Sequence, residues 1–299
     1  MNKVLVIMAT YNGQKYLQEQ IQSILAQKKV RVSLLVRDDN SNDRTCNILE
    51  DYQNQGKLEW YTGIHLNVTK GYFDLMKKAA TYNVDYIAFS DQDDVWDKDK
   101  LYVAVQALKK FNENIPSLYY CGQRLVDSNL KLIANHELNR QRSLKTRFIL
   151  SDFAGCTGVF NKKLLNEVIG YEPNYMLMHD TWTLKICLAL GGNVVVDSDC
   201  HMNYRQHGSN AVGLGRNFPA YLKQVRQYLN EYKVELQMRE LLKGYGNRMV
   251  PEYKELVEAC CNYRTDKEAR KILLNKRNIN FCTKGLNVTY RLKVGLNKL

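Results

Sequence analysis

The segment Phe89-Ser90-Asp91-Gln92-Asp93-Asp94-Val95-Trp96 places three carboxylates within four residues. It follows directly on the apolar, β-prone run Val84-Asp85-Tyr86-Ile87-Ala88-Phe89 and precedes a helix-like segment that starts near Asp97. Carboxylates this crowded repel one another, and burial disfavours their ionised forms further. A hard divalent cation relieves both costs, and oxygen ligands suit Mg²⁺ or Mn²⁺. Open α/β sheets bind ligands at the carboxyl ends of their strands, where this segment would lie. The bland alternative is a solvated acidic turn with Asp97 as a helix N-cap. Other parts of the chain have to decide between them.

The 299 residues can bury a large core, as one big domain or two smaller ones. An apolar share of 45% and a charged share of 25% are ordinary for a globular protein. Met1–Met8 reads as a first strand, and its short apolar run gives way to Thr10-Tyr11-Asn12, so no export signal is expected. No stretch approaches the roughly 20 apolar residues of a transmembrane helix. The eight cysteines form no Cys-x-x-Cys and no His-Cys cluster, which argues against zinc and for reduced cytosolic thiols. Net charge is +12 but uneven: residues 1–215 carry 25 Lys+Arg against 23 Asp+Glu, whereas residues 216–299 carry 18 against 8. Such asymmetry speaks about partners rather than fold.

Strand-like and helix-like patterns alternate over residues 3–90. Lys3–Thr10, Val30–Arg37, Leu58–Tyr61 and Val84–Phe89 read as strands. Gln14–Gln27, Asp43–Gln53 and Tyr72–Tyr82 read as helices, the second with Ser41 or Asn42 as its cap. This order predicts a parallel, helix-covered sheet whose right-handed crossovers bring the strand ends to one edge. Further on, Lys98–Phe111, Lys162–Ile169 and His179–Leu190 read as helices, and Ser117–Val126, Asn193–Val196 and Met202–Arg205 as strands. Beyond Gly215 the pattern changes. Phe218, Tyr221, Leu222, Val225, Tyr228, Leu229, Tyr232 and Leu236 recur at three- and four-residue steps, an amphipathic helix. Two regions are therefore expected, 1–215 and a basic helical extension over 216–299.

Four further clusters fall at predicted strand or helix ends. The first strand ends in Ala9-Thr10-Tyr11-Asn12-Gly13, and the second in Arg37-Asp38-Asp39-Asn40-Ser41-Asn42-Asp43. There the choice lies between a capped loop and a carboxylate that accepts from a base N–H. His179-Asp180 opens a helix, either as an N-cap aspartate or as a general base. Tyr204-Arg205-Gln206-His207 ends the last strand. The glycines make neither Gly-x-Gly-x-x-Gly nor a P-loop, so the dinucleotide and Walker readings lack their motif.

In this order the set resembles the glycosyltransferase family 2 pattern on the GT-A fold. The parts are Met8-Ala9-Thr10-Tyr11-Asn12, Arg37 to Asp43, Ser90-Asp91-Gln92-Asp93-Asp94-Val95-Trp96, Ala154-Gly155-Cys156-Thr157, His179-Asp180 and Tyr204-Arg205-Gln206-His207. The resemblance covers about residues 3–215. The Ser-Asp-Gln-Asp-Asp-x-Trp and Tyr-Arg-x-His forms look most like the rhamnosyltransferase-type branch of bacterial surface polysaccharide synthesis. His179 stands where many members have Glu. The Gln-x-x-Arg-Trp motif of processive members is absent, which favours transfer of a single sugar.

The resemblance implies a Rossmann-like, mostly parallel sheet flanked by helices, and an inverting transfer from a nucleoside-diphosphate sugar, dTDP- or UDP-linked. Asp38 or Asp39 would hold the base, with Thr10 and Tyr11 lining that pocket. Asp91 would sit near the ribose or the metal. Asp93 would ligate Mg²⁺ or Mn²⁺, with Asp91 and His207 as further ligands. Asp180 would be the catalytic base. Gly155, Cys156, His179, Trp96 and Arg205 would complete the substrate-binding set. A glycan or polyprenyl-linked acceptor is implied, and with it a cytoplasmic protein lying peripherally on the inner face of the membrane. The basic region, with Tyr221, Tyr228, Tyr232 and Tyr245, then suits an anionic surface. No nucleic-acid-binding motif appears, so no such partner is expected. Self-association into a homo-oligomer stays open. The competing class is a non-catalytic nucleotide-sugar-binding or scaffolding module on the same fold, which would be expected to lose acidic positions that are all present here.

Overall fold

Each apolar strand in the first part of the chain is followed by an amphipathic helix that covers it, so the strands pair in parallel. The computed structural model describes residues 1–207 and 233–299. Strands β1 (Lys3–Thr10), β2 (Arg31–Asp38), β3 (Glu59–Thr62) and β4 (Tyr86–Ser90) alternate with helices α1 (Leu17–Leu25), α2 (Thr45–Asn54) and α3 (Val68–Ala79). The strands lie side by side in the order β3-β2-β1-β4, all parallel. Val4 to Met8 of β1 are fully buried, as a central strand covered on both faces must be. Register sets Thr10 beside Asp38 and Met8 beside Ser90. The carboxyl ends of β1, β2 and β4 thus share one edge.

The sheet then becomes mixed. β5 (Val95–Trp96), α4 (Lys100–Leu108), β6 (Ser117–Val126), β7 (Leu132–His136) and α5 (Leu144–Ile149) come first. A 3₁₀ turn (Gly155–Thr157), β8 (Val159–Asn161), α6 (Lys162–Ile169), α7 (His179–Ala189) and β9 (Asn193–Arg205) complete this part. β8 lies antiparallel between β4 and β6, while β9 runs parallel to β6 and antiparallel to β5. Asn193–Val196 and Met202–Arg205, expected as two strands, are one strand of 13 residues. Register slips around Gly122 absorb the polar Asp197-Ser198-Asp199 between them. A Cβ on Gly122 would sit 2.7 Å from the Ser198 carbonyl, so that approach needs glycine.

One expected cap is corrected, and the bland reading of the acid loop loses its cap as well. α2 begins at Thr45 without a side-chain cap, because Ser41 turns back onto Asp38 instead. Asp97 caps nothing and is paired with Arg124. β7 and α5 were not anticipated: β7 is largely exposed and α5 has six residues, so neither carries a hydrophobic period.

The C-terminal helices are α8 (Val234–Tyr245), α9 (Pro251–Asn262), α10 (Lys267–Leu274) and α11 (Lys284–Gly295). The expected amphipathic positions Phe218, Tyr221, Leu222, Val225, Tyr228, Leu229 and Tyr232 lie outside the described residues. One apolar core joins Leu164, Trp182 and Ile186 of α6 and α7 to Met238, Leu241, Leu256 and Cys260 of α8 and α9. Tyr245, expected among surface aromatics, is instead buried in that core and donates to the Glu167 carbonyl at 2.7 Å. All eight cysteines are free.

Because the core is continuous, Leu241→Ala should destabilise the whole molecule rather than the C-terminal helices alone. A fully buried Leu→Ala change typically costs about 2–5 kcal/mol. Urea unfolding followed by near- and far-ultraviolet circular dichroism should show one transition shifted as a unit. A second transition left at its wild-type midpoint would mean that the helices fold independently.

Candidate active site

Gln92 ties the ends of β1 and β4 together. Its Oε1 accepts from the Thr10 hydroxyl at 2.5 Å and from the Tyr11 N–H at 2.9 Å. At the end of β2, Asp38 is fully buried and accepts from the Ser41 N–H at 2.8 Å and hydroxyl at 2.5 Å. Asp39 pairs with Arg37 and accepts from the Leu66 N–H at 3.1 Å. His65 reaches the same carboxylate at 3.6 Å, and the exposed Tyr11 ring lies against His65 with centroids 4.8 Å apart. The strand ends therefore bring Thr10, Tyr11, Asp38 and Asp39 together, with an aromatic ledge that includes the unanticipated His65. Of the two aspartates, Asp38 is committed to its own loop.

The acid loop after β4 gathers several carboxyl groups at the edge of the interior. Oxygens of Asp91 and Asp94 and the sulfur of Cys156 lie within 4.8 Å of one another. Burial first, then the charges of Asp93 and Asp180, push the Asp91 carboxyl up to about 7. Asp94 is fully buried and is also raised well above the usual range, by burial first and then by Asp91 and Asp93. Its Oδ1 accepts from the Arg205 N–H at 3.2 Å, while its Oδ2 is buried without a hydrogen-bond partner. Asp93 Oδ2 and His207 Nε2 are 2.8 Å apart. Oxygen donors, one of them buried and unsatisfied, suit a hard divalent cation; the Asp93–His207 pair stands outside the 4.8 Å group, and the Cys156 sulfur within it is a softer donor.

Arg205 clasps this loop from β9. Its Nε donates to the Asp93 carbonyl at 2.8 Å, one terminal nitrogen to the Ser128 carbonyl at 2.7 Å, and the other pairs with Glu19. The side chain is 2% exposed, so it shapes the loop rather than offering its charge outward. Trp96, expected among the substrate-binding residues, is corrected to a core residue. β5 pairs with β9 at Trp96–Met202, and the indole is buried in the second apolar cluster. Cys156 is likewise buried, with its sulfur among the acids.

Asp180 lies in the first turn of α7. One carboxylate oxygen accepts from the Gly155 N–H at 2.9 Å and the other from the Thr181 N–H at 2.5 Å. Burial pushes the carboxyl up to about 6, and these hydrogen bonds hold the shift down. The Gly155–Thr157 turn must be glycine at its first position, because a Cβ there would fall 2.8 Å from His179 Nε2. The His179 ring is buried and stacks on Tyr72, with centroids 3.8 Å apart. Burial lowers its pKa to about 3, so it is neutral. The Tyr72 hydroxyl in turn donates to the Ser90 carbonyl at 2.6 Å and approaches Asp91 at 3.4 Å.

Sequence reading missed Lys100. It is fully buried, donates to the Cys156 carbonyl at 2.6 Å and lies 3.2 Å from the centroid of the Trp96 ring. In the run Asp97-Lys98-Asp99-Lys100 nothing distinguishes it from solvated neighbours. Tyr72 was missed too, since a tyrosine at helical spacing reads as core.

Residues 5–169 match the model of the Glycosyl transferase family 2. The dTDP-rhamnosyl transferase RfbG of Shigella flexneri is 30% identical over 245 residues, covering 75% of this chain and 80% of that protein. The Escherichia coli UDP-Glc:alpha-D-GlcNAc-diphosphoundecaprenol beta-1,3-glucosyltransferase WfgD is 30% identical over 54% of this chain and 62% of its own length. Among solved structures, residues 1–349 of S. aureus TarS in complex with UDP superpose with a TM-score of 0.58 at 19% identity, over 91% of this chain and 75% of that one. Sheet, relatives and family model agree: the chain belongs to glycosyltransferase family 2 and has the GT-A fold.

Proposed function

We propose that the protein moves one hexose, rhamnose or a close relative, from a dTDP- or UDP-linked donor to a hydroxyl of a growing, lipid-linked cell-surface polysaccharide. The anomeric centre inverts. The rhamnosyl relative supports the donor, and the diphosphoundecaprenol named for the glucosyl relative supports the acceptor class. Such an acceptor lies at the membrane, which implies peripheral attachment on its cytoplasmic face. No helix among the described residues is long and apolar enough to cross a bilayer.

The observation that carries this reading is Asp180. Its carboxylate is pinned by the Gly155 N–H, and its charge is felt by Asp91 across the site. Asp180 takes the proton of the acceptor hydroxyl as that oxygen bonds to the anomeric carbon and the bond to the diphosphate oxygen breaks. A single displacement needs one base. Tyr11, Thr10 and Asp39 receive the base of the donor. Asp93 and His207, with Asp91, would hold Mg²⁺ or Mn²⁺, which when bound neutralises charge on the leaving diphosphate.

Asp180→Asn is nearly isosteric and cannot accept the proton. Its turnover should fall by roughly 10²–10⁴, with nucleotide-sugar affinity barely changed in a thermal-shift titration. Wild-type turnover in this variant would remove Asp180 from the chemistry.

The pH profile gives an independent check. The base must be ionised, and its pKa is raised to about 6. At saturating Mn²⁺, which keeps Asp91 ionised, turnover should be level above that value and fall tenfold per pH unit below it. An acid limb near the ordinary carboxylate value would argue for a solvent-exposed base elsewhere.

Asp93→Ala should abolish metal-dependent donor binding while leaving the melting temperature of the unliganded protein within a few degrees of wild type. Full transfer in excess EDTA would overturn the metal assignment.

A further inference from the structure

Of the ten large hydrophobic side chains that stand exposed among the described residues, three fall on helix α11 or its C-cap. Val288, Leu292 and Leu296 are 50%, 58% and 63% exposed. They recur every four residues, so they form one stripe along the helix. The opposite face is already occupied: Tyr290 and Val294 are buried in the core, and the Tyr290 hydroxyl donates to the Leu273 carbonyl at 3.2 Å. α11 is therefore fixed in place and apolar on two opposed faces, only one of which is covered by the described residues. Gly285 and Gly295 share the uncovered side, and a Cβ on either would meet nothing within 4 Å.

Charge says what covers that side. After Glu268 the chain carries eight Lys and Arg and not one Asp or Glu. Lys284 is exposed and Arg291 half-exposed, and helical spacing puts both along one edge of the stripe. A partner for this face is flat, anionic at its surface and apolar just beneath. Those are the properties of a bilayer that contains acidic lipids.

We propose that α11 seats the enzyme on an anionic lipid surface, with Val288, Leu292 and Leu296 entering the boundary between headgroups and acyl chains. Lys284 and Arg291 meet lipid phosphates. This inference rests on the membrane-located acceptor proposed above and names the surface that reaches it. It also moves the contact from the aromatic residues of the basic region to three aliphatic ones at its far end.

The test is co-sedimentation of the full chain with vesicles of mixed phosphatidylglycerol and phosphatidylcholine, and with phosphatidylcholine alone, at two salt concentrations. Wild-type protein should partition onto the mixed vesicles, and less so at high salt. Two double variants separate the contributions: Leu292→Asp with Leu296→Asp, and Lys284→Glu with Arg291→Glu. Each should weaken partitioning at least about tenfold. All four positions are at the surface, so melting temperature, the thermal shift with UDP or dTDP, and transfer to a soluble acceptor should stay as in wild type. Wild-type protein that binds neither vesicle, or aspartate variants that bind like wild type, would overturn the proposal. So would a wild-type dimer in gel filtration that the aspartate pair converts to monomer, since a second copy would then cover the stripe. The two readings fail separately. Loss of vesicle binding with transfer intact leaves the transferase reading standing, and vesicle binding without any transfer supports the docking surface alone.

Discussion

A half-buried carboxyl group, a fully buried one and a buried lysine occupy one corner of the interior, and the chain around them supplies much of their compensation. Removing one partner of a buried charged set typically costs about 3–5 kcal/mol, because the survivors lose their compensation. Here Asp91 and Asp94 stand side by side, with Lys100 behind them against the Trp96 ring. A desolvated cation over an aromatic face gains about 2 kcal/mol or more. Arg205 encloses the loop from the other direction: its Nε donates to the Asp93 carbonyl and its backbone N–H to Asp94 Oδ1. Strands β4, β5 and β9 and helix α4 thus meet where the charges are.

Much of this could be read in the sequence, and the limits have physical causes. β1 to β4 are legible because a parallel strand buried on both faces is an unbroken apolar run between helix-like segments. The carboxylates of the acid loop are legible because their crowding has no structural use without compensation. Trp96 was misread because a large aromatic beside acidic residues suits a binding surface as well as a core. Only the pairing of β5 with β9, a long-range event, fixes which face it occupies. Lys100 was invisible for the complementary reason: its surroundings in sequence are charged and polar, and its burial is decided by tertiary packing alone. The single long β9 shows the same limit, since polar residues inside a strand break the period that would have revealed it.

The C-terminal helices alter the meaning of the charge asymmetry. A balance of 18 basic against 8 acidic residues marks the region without saying where any side chain points. The fold divides it. Tyr245, Met238 and Leu256 face inward and complete the core under α6 and α7. Glu240 and Glu167 gather Lys243 and Arg248 into surface ion pairs. Past Glu268 the sequence holds basic residues and no acidic ones; Lys271 pairs back to Glu268, and Lys284 and Arg291 lie beside the aliphatic face of α11.

The three-residue turn Gly155–Thr157 has a consequence for how such an enzyme can change. Its first N–H holds Asp180, its second carbonyl holds Lys100, and its cysteine sulfur sits among the acids. The proposed base and the proposed metal ligands are therefore yoked by a few ångströms of backbone. Substitutions on the two sides should not combine additively, since each is transmitted through the same peptide units. New specificity is then more easily gained by altering the rim, such as the Tyr11–His65 ledge, than by remodelling the centre. A lineage that changes which nucleotide it receives can leave this yoke untouched and vary what surrounds it.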